Sequence, residues 1–405
     1  MRHEGYLPGS SGYRRIVWSL FAAGLATFTL LYSTQALLPD LRRDFDVSTG
    51  ASTLSVSLAM FGIGAGLLIA GPLSDVVGRT RLIHLSLGAS VVIGFASALA
   101  PTWEALLALR FADGFALAGL PAVATAYLRE ELHPSSQGRA AGLYVGGTAF
   151  GGMSGRLVSG FGAELGGGWR WGIAATVLVG LACAVLVRLA LPVSRGFEPA
   201  PGNPRALAAM TRRALSDPAL LALYAIAGCS LGAMVALFNT IGFRLADPPF
   251  ALGIGAASLV FLVYPLGTVS STWFGDLADR HGRRTVIPIG AAVAIVGALL
   301  TLPDVLSLVV AGMGLLVIGF FAVHGVASGW VPLRAHLGGT SAGQAASLYL
   351  FTYYLGSAVF GTASGAAWTR AGWAGSVALS VALLVLVMAL AALLRRTPSL
   401  APGLR

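Results

Sequence analysis

The sequence predicts an all-α integral membrane protein with twelve transmembrane helices in two pseudo-symmetric six-helix bundles. Three observations carry that prediction. The chain has 405 residues, of which 56% are hydrophobic and 10% charged, whereas soluble domains carry about 25% charged residues. Its apolar residues gather into runs close to the ~20 needed to cross ~30 Å of hydrocarbon. A short basic loop, GPLSDVVGRTRL at 71–82, returns as GDLADRHGRRTVI at 275–287, displaced by 204 positions.

The apolar runs place helices at about 16–38, 51–70, 82–100, 105–127, 139–162, 169–190, 219–243, 253–274, 286–302, 305–330, 342–367 and 374–394. The segment 191–218 is the long polar connector, with a Pro/Gly start and a basic end, and reads as a linker. It separates an N-terminal half, 1–190, from a C-terminal half, 219–405. Further repeats flank it: AAGLY at 140–144 answers AASLY at 345–349, and Arg129 answers Arg334. Such repeats build two halves around a central site. Twelve crossings put both termini on one side. With that side inside, eighteen arginines fall in cytosolic segments and five in outer loops, so both termini are expected in the cytosol.

Composition excludes several functions. All 26 basic residues are arginine and none is lysine. A phosphate-binding P-loop needs its lysine, and a Schiff base needs one too. Work done here must therefore draw on an ion gradient or on the substrate's own gradient, with no cofactor. The net charge of +10 is spread between apolar runs and forms no continuous face for nucleic acid. Cys183 and Cys229 both lie in apolar runs, which argues against a disulfide framework or a metal site. The polar start MRHEGYLPGSSGYRR and the long first run carry no cleavable signal peptide.

In the duplicated loop, Gly71, Asp75, Gly78 and Arg79 fall on Gly275, Asp279, Gly282 and Arg283. Each copy reads as a tight hairpin between two membrane helices. The glycines suit close packing and sharp reversal, the aspartates suit a helix N-terminus, and the arginines hold the loop at the cytosolic surface. The paired loops resemble the signature loop of the major facilitator superfamily, between helices 2 and 3 and between helices 8 and 9. That resemblance implies an alternating-access transporter in which the loop stabilises one side of the cycle. Within the superfamily, LYSTQALLPDL, GLYVGGTAFGGMSGRLVSG, LFNTIGFRL and ASLYLFTYYLGS look close to the YnfM-like inner-membrane efflux permeases.

Candidate site residues follow from the cost of charge in lipid, about 2.5–3.5 kcal/mol each on insertion scales. Arg110 and Asp113 lie three residues apart on one face of the fourth predicted helix. They are either a self-neutralised pair or a coupling site; Arg110 also resembles the superfamily's helix 4 arginine, which in relatives is tied to proton coupling. Arg156 in the glycine-rich fifth helix is a gate residue or a snorkelling anchor. His324 in the tenth helix has a pKa range suited to proton work, and comes with Phe320, Phe321 and Trp330. Tyr349 and Tyr353, at i and i+4 of the eleventh helix, are packing residues or an aromatic wall for substrate. Tyr32, Gln35 and Asn239 are interhelical contacts or ligand contacts. Gly228-Cys229-Ser230-Leu231-Gly232 matches the G-x-S-x-G of serine hydrolases, which needs a strand-turn-helix that an apolar run does not give.

The function expected from this resemblance is proton-coupled efflux of a small organic molecule, powered by the proton gradient, by a monomer in a bacterial inner membrane. The alternatives are a sugar or nutrient importer of the same fold, or an intramembrane serine hydrolase with His324 as partner to Ser230.

Overall fold

The computed structural model describes residues 5–197 and 204–397. Arg2, Arg405 and residues 198–203 of the predicted linker lie outside the described residues. Helices dominate, as a chain must when every buried amide in lipid needs a partner; among the described residues the one β feature is an isolated bridge between Tyr6 and Leu132.

Ten stretches are long and apolar enough to span a bilayer. We label the helices α1 (Ser11–Asp44), α2 (Thr49–Val77), α3 (Arg79–Ala98), α4 (Trp103–Glu131), α5 (Pro134–Gly166), α6 (Trp169–Ala190), α7 (Pro218–Ala246), α8 (Ile254–His281), α9 (Arg283–Leu300) and α10 (Leu306–Leu337). The last stretch, Ala342–Arg396, is two helices joined where Ala371 and Gly372 leave helical geometry, with Gly372 at φ +59°. These are α11 (342–370) and α12 (373–396). α5 is outside the ten because its glycines lower its hydropathy, yet its 33 residues are ample to cross. The twelve-helix reading therefore holds. Boundaries move outward, because polar caps extend the helices past their apolar runs. Ser10 caps α1 by accepting from the Tyr13 amide, and Asp217 caps α7 by accepting from Ala219 N at 2.8 Å, with Pro218 in the first turn.

The chain forms two compact units: Met1–Asp40, Leu58–Gly202 and Ile254–Ser258 in one, Leu41–Ser57, Asn203–Gly253 and Leu259–Arg405 in the other. In the first unit, α1 and α5 meet backbone to backbone. A Cβ at Gly147, Gly151 or Gly155 would strike Phe21, Leu25 or Thr29 of α1 in turn. This is the small-residue packing the glycine-rich stretch implied. In the second unit, Gly228 of α7 and Gly356 of α11 touch in the same manner. The linker also holds a short helix, Pro204–Ala214, within a stretch whose sequence reads as loop. It docks on the start of α11, where Gln344 Nε2 donates to Thr211 Oγ1 at 2.9 Å.

Candidate functional site

α1 is not continuous. It is regular over Ser11–Leu31, then turns through Tyr32–Thr34 and resumes as a 3₁₀ turn, Gln35–Leu37, and a short helix, Leu38–Asp44. The break coincides with the polar stretch Tyr32-Ser33-Thr34-Gln35. A break inside a membrane span strands carbonyl groups that water cannot reach. Arg110 of α4 meets the carbonyls at the break: Nη2 donates to Leu31 O at 2.6 Å and Nη1 to Leu30 O at 3.3 Å, the latter also accepting from Ser33 N. Its Nη1 also lies 2.7 Å from Asp113 Oδ2, and both side chains are 1% exposed. A cation at the C-terminal end of a helix opposes its dipole, and the carboxylate offsets the desolvated charge.

Arg156 of α5 grips the other side of the break. Its Nε donates to Gln35 Oε1 at 2.5 Å, Nη1 donates to Gly152 O at 2.5 Å, and the guanidinium lies 3.8 Å above the Tyr32 ring. The structure thus brings Tyr32, Gln35, Arg110 and Asp113 to one place. It also overturns the snorkelling reading of Arg156, which is wholly buried: a guanidinium held by Gln35 and Gly152 has no reason to reach for water. The break itself does not show in the hydropathy, although the polar YSTQ inside an apolar run was its signal.

In the second unit an aromatic cluster surrounds His324 of α10. Its Nδ1 is 3.0 Å from Tyr349 Oη, and its ring lies 4.7 Å from that of Tyr353. Phe320 lies nearly parallel to the imidazole at 5.7 Å, with an interplanar angle of 7°, and its ring is also 6.2 Å from that of Tyr353. Phe321 and Tyr264 extend the row edge to face. Tyr349 is buried, while His324 and Tyr353 are partly exposed. Trp330 is not in the cluster, contrary to its expected company with His324; it lies 5.9 Å from the Arg284 guanidinium. Asn239 is buried elsewhere in α7 and donates to Gly361 O at 3.3 Å, an interhelical contact.

The two signature loops differ. In the first, Arg79 pairs with Asp75 at 2.6 Å and with Glu130 of α4 at 3.1 Å, and also bonds to Ser74. In the second, Asp279 is exposed and, among the described residues, makes no ion pair with Arg283. The expectation that Asp75 and Asp279 sit at helix N-termini fails: each lies in the last turn of its helix, α2 or α8, because the helices run on to Val77 and His281. Gly78 and Gly282 make the reversals at φ +99° and +84°, where an L-residue would be strained. Gly71 and Gly275, expected to allow close packing, face open space: a Cβ added at either would meet nothing within 4 Å.

Two acidic residues at the C-terminal end of α4 were not among the sequence candidates. Glu130 completes the Arg79 contacts. Glu131, fully buried, accepts from Ser194 Oγ at 2.9 Å, Arg195 N at 2.5 Å and Gly196 N at 2.9 Å, pinning the start of the linker. The adjacent pair in LREELH, at a helix end beside basic loops, was the available clue. Ser230 lies mid-helix in α7 and donates to Ala227 O at 3.2 Å, the ordinary habit of a helical serine and no nucleophile elbow.

The paired loops, the broken first helix and the two glycine-seamed units are the architecture of a secondary transporter. The family model described as Major Facilitator Superfamily matches residues 20–275, and the chain belongs to that superfamily. The chain is 38% identical over 390 residues to an uncharacterised MFS-type transporter, YybF, of Bacillus subtilis, covering 96% of this chain and 95% of that one. It is 39% identical over 388 residues to the inner membrane transport protein YnfM of Escherichia coli, covering 96% and 92%. Among solved structures, a bacterial homologue of the human lysosomal transporter Spinster, in an inward-facing and unoccupied conformation, superposes with a TM-score of 0.78 at 17% identity, over 96% of this chain and 98% of that one. The nucleoside transporter NupG gives 0.70, also at 17% identity, over 94% and 99%. The protein is therefore a multi-pass secondary transporter of small molecules and not an enzyme.

Proposed function

We propose that this transporter exports a small organic molecule across a bacterial inner membrane in exchange for protons, with both termini in the cytosol. The observation that carries the reading is the buried Arg110–Asp113 pair at the break in α1. Arginine keeps its proton in any protein setting, so Asp113 is the member that can take one. Protonating it removes the charge partner of Arg110 and leaves the guanidinium held by the Leu30 and Leu31 carbonyls. Ion binding is thereby linked to the one irregular segment of α1. His324, Tyr349 and Tyr353 take the role of substrate contacts: the partly exposed rings of His324 and Tyr353 suit a molecule with flat apolar surface, and the buried Tyr349 holds His324 from behind through its hydroxyl.

The test is uptake of a compound panel into inverted vesicles with and without a proton gradient. Asp113→Asn abolishes gradient-driven accumulation and spares passive counterflow; His324→Gln weakens binding and keeps the proton dependence. If Asp113→Asn still accumulates substrate while His324→Gln does not, the roles are reversed. Orientation is tested by Ser216→Cys and Asp247→Cys in a cysteine-free background, which label from opposite sides, Asp247→Cys from outside intact cells.

A further inference from the structure

The serines of α3 do not behave alike. Ser97 Oγ donates to Ile93 O at 2.9 Å, back along its own helix, and Ser86 Oγ donates across to Ala116 O of α4 at 2.6 Å. Ser90 does neither: its Oγ is buried and makes no hydrogen bond of normal geometry. The register explains what it faces. α3 and α4 are antiparallel neighbours, so one turn on from Ser86 and one turn back from Ala116 bring Ser90 beside Asp113, whose carboxyl it adjoins. Asp113 Oδ2 is occupied by Arg110, whereas Oδ1 is buried and makes no such bond either. Two adjacent buried polar atoms, each with an unused hydrogen-bonding site, form a costly arrangement unless something completes it.

We infer that Ser90 is the positioning residue of the Asp113 proton site. A proton bound on Oδ1 makes a hydroxyl that donates to Ser90 Oγ; when it leaves, the Ser90 hydroxyl rotates and donates to the bare Oδ1. A serine hydroxyl both donates and accepts, so one side chain serves both states without moving its backbone. Arg110 is the charged group that faces Asp113. α1 brings the Leu30 and Leu31 carbonyls to that guanidinium, α3 brings Ser90, and α2 packs its Ala59 backbone on Gly114 without bringing charge there. The inference rests on the reading of Asp113 as the proton carrier, and fixes which oxygen takes the proton.

Infrared difference spectra of the full chain in lipid nanodiscs, switched between acidic and neutral buffer, test it with the proton itself as probe. The expected result is a protonated-carboxyl band that Asp113→Asn removes, that shifts to higher frequency in Ser90→Ala, and that Ser90→Thr restores. An unshifted band in Ser90→Ala, with the variant folded by its melting profile, overturns the role of Ser90. A spectrum unchanged by Asp113→Asn overturns it together with the coupling reading. Should the band shift as expected while Asp113→Asn still accumulates substrate against a gradient, the coupling reading alone fails.

Discussion

Arg110 closes the end of a helix to which it does not belong: its Nη2 bonds Leu31 O at 2.6 Å, 79 residues away in sequence. The same guanidinium holds Asp113, so it cannot be replaced by a point charge. Arg110→Ala leaves a buried carboxylate and the Leu31 carbonyl without the guanidinium, while Leu30 O keeps its bond from Ser33 N, and costs about 3–5 kcal/mol of stability. Arg110→Lys keeps the charge but loses the planar fork, and costs about 1–3 kcal/mol. Melting profiles in detergent check both, and equal losses in the two variants would sink the capping role.

Gly151 lies against the carbonyl of Leu25. Gly151→Ala therefore forces α1 and α5 apart, at about 1–3 kcal/mol. Gly71→Ala and Gly275→Ala meet open space and stay within about 0.5 kcal/mol of the parent. The same melting measurement separates the two classes.

The ion pairs of the first loop predict an asymmetry. Asp75 and Glu130 both hold Arg79, so Asp75→Asn and Glu130→Gln each slow turnover and leave substrate affinity nearly unchanged. Asp279→Asn removes no ion pair among the described residues and changes turnover least. Initial rates over a substrate series give turnover and affinity separately. A large loss of affinity in Asp75→Asn argues against a latch.

Asp217 joins the linker to α10 through Arg334, with Nε 2.8 Å from Oδ2. Burial pushes its carboxyl up, but the Arg334 bond and the Ala219 and Leu220 amides outweigh burial and hold it below the ordinary carboxylate value. A depressed carboxylate contributes stability at pH above its unfolded value, about 3.9, and that contribution is lost as pH falls through the folded value. Asp217→Asn should therefore lower the melting temperature at neutral pH and flatten its decline in acid. Parallel pH profiles for the two proteins would exclude the linkage.

Much of the fold was legible because lipid imposes a simple code. Length and hydropathy marked all twelve helices, and the repeat at 71–82 and 275–287 marked the duplication. The glycines of α5 marked it as a close-packing helix, and their spacing matches Phe21, Leu25 and Thr29 on α1. The pairing of Arg110 with Asp113 was readable from their helical spacing. The clamp on α1 was not, because Gln35 and Arg156 are 121 residues apart and nothing local joins them. His324 with Tyr349 and Tyr353 was readable in part: spacing placed the tyrosines on one face, while Trp330 was misplaced because rotation about α10 cannot be read from proximity in sequence. Glu130 and Glu131 were missed, since hydropathy does not register a carboxylate held inside the protein at a helix end.

The seam at Gly147, Gly151 and Gly155 has a mechanical consequence. Two helices in backbone contact at three successive turns cannot slide without driving side chains into the gap. The first helix is therefore a stiff rod as far as Thr29, locked to its neighbour as a single beam. Its compliance is concentrated from Tyr32 to Gln35, where the ladder is interrupted and two guanidinium groups serve as bearings on either side. A load applied anywhere along the rod arrives undamped at that joint.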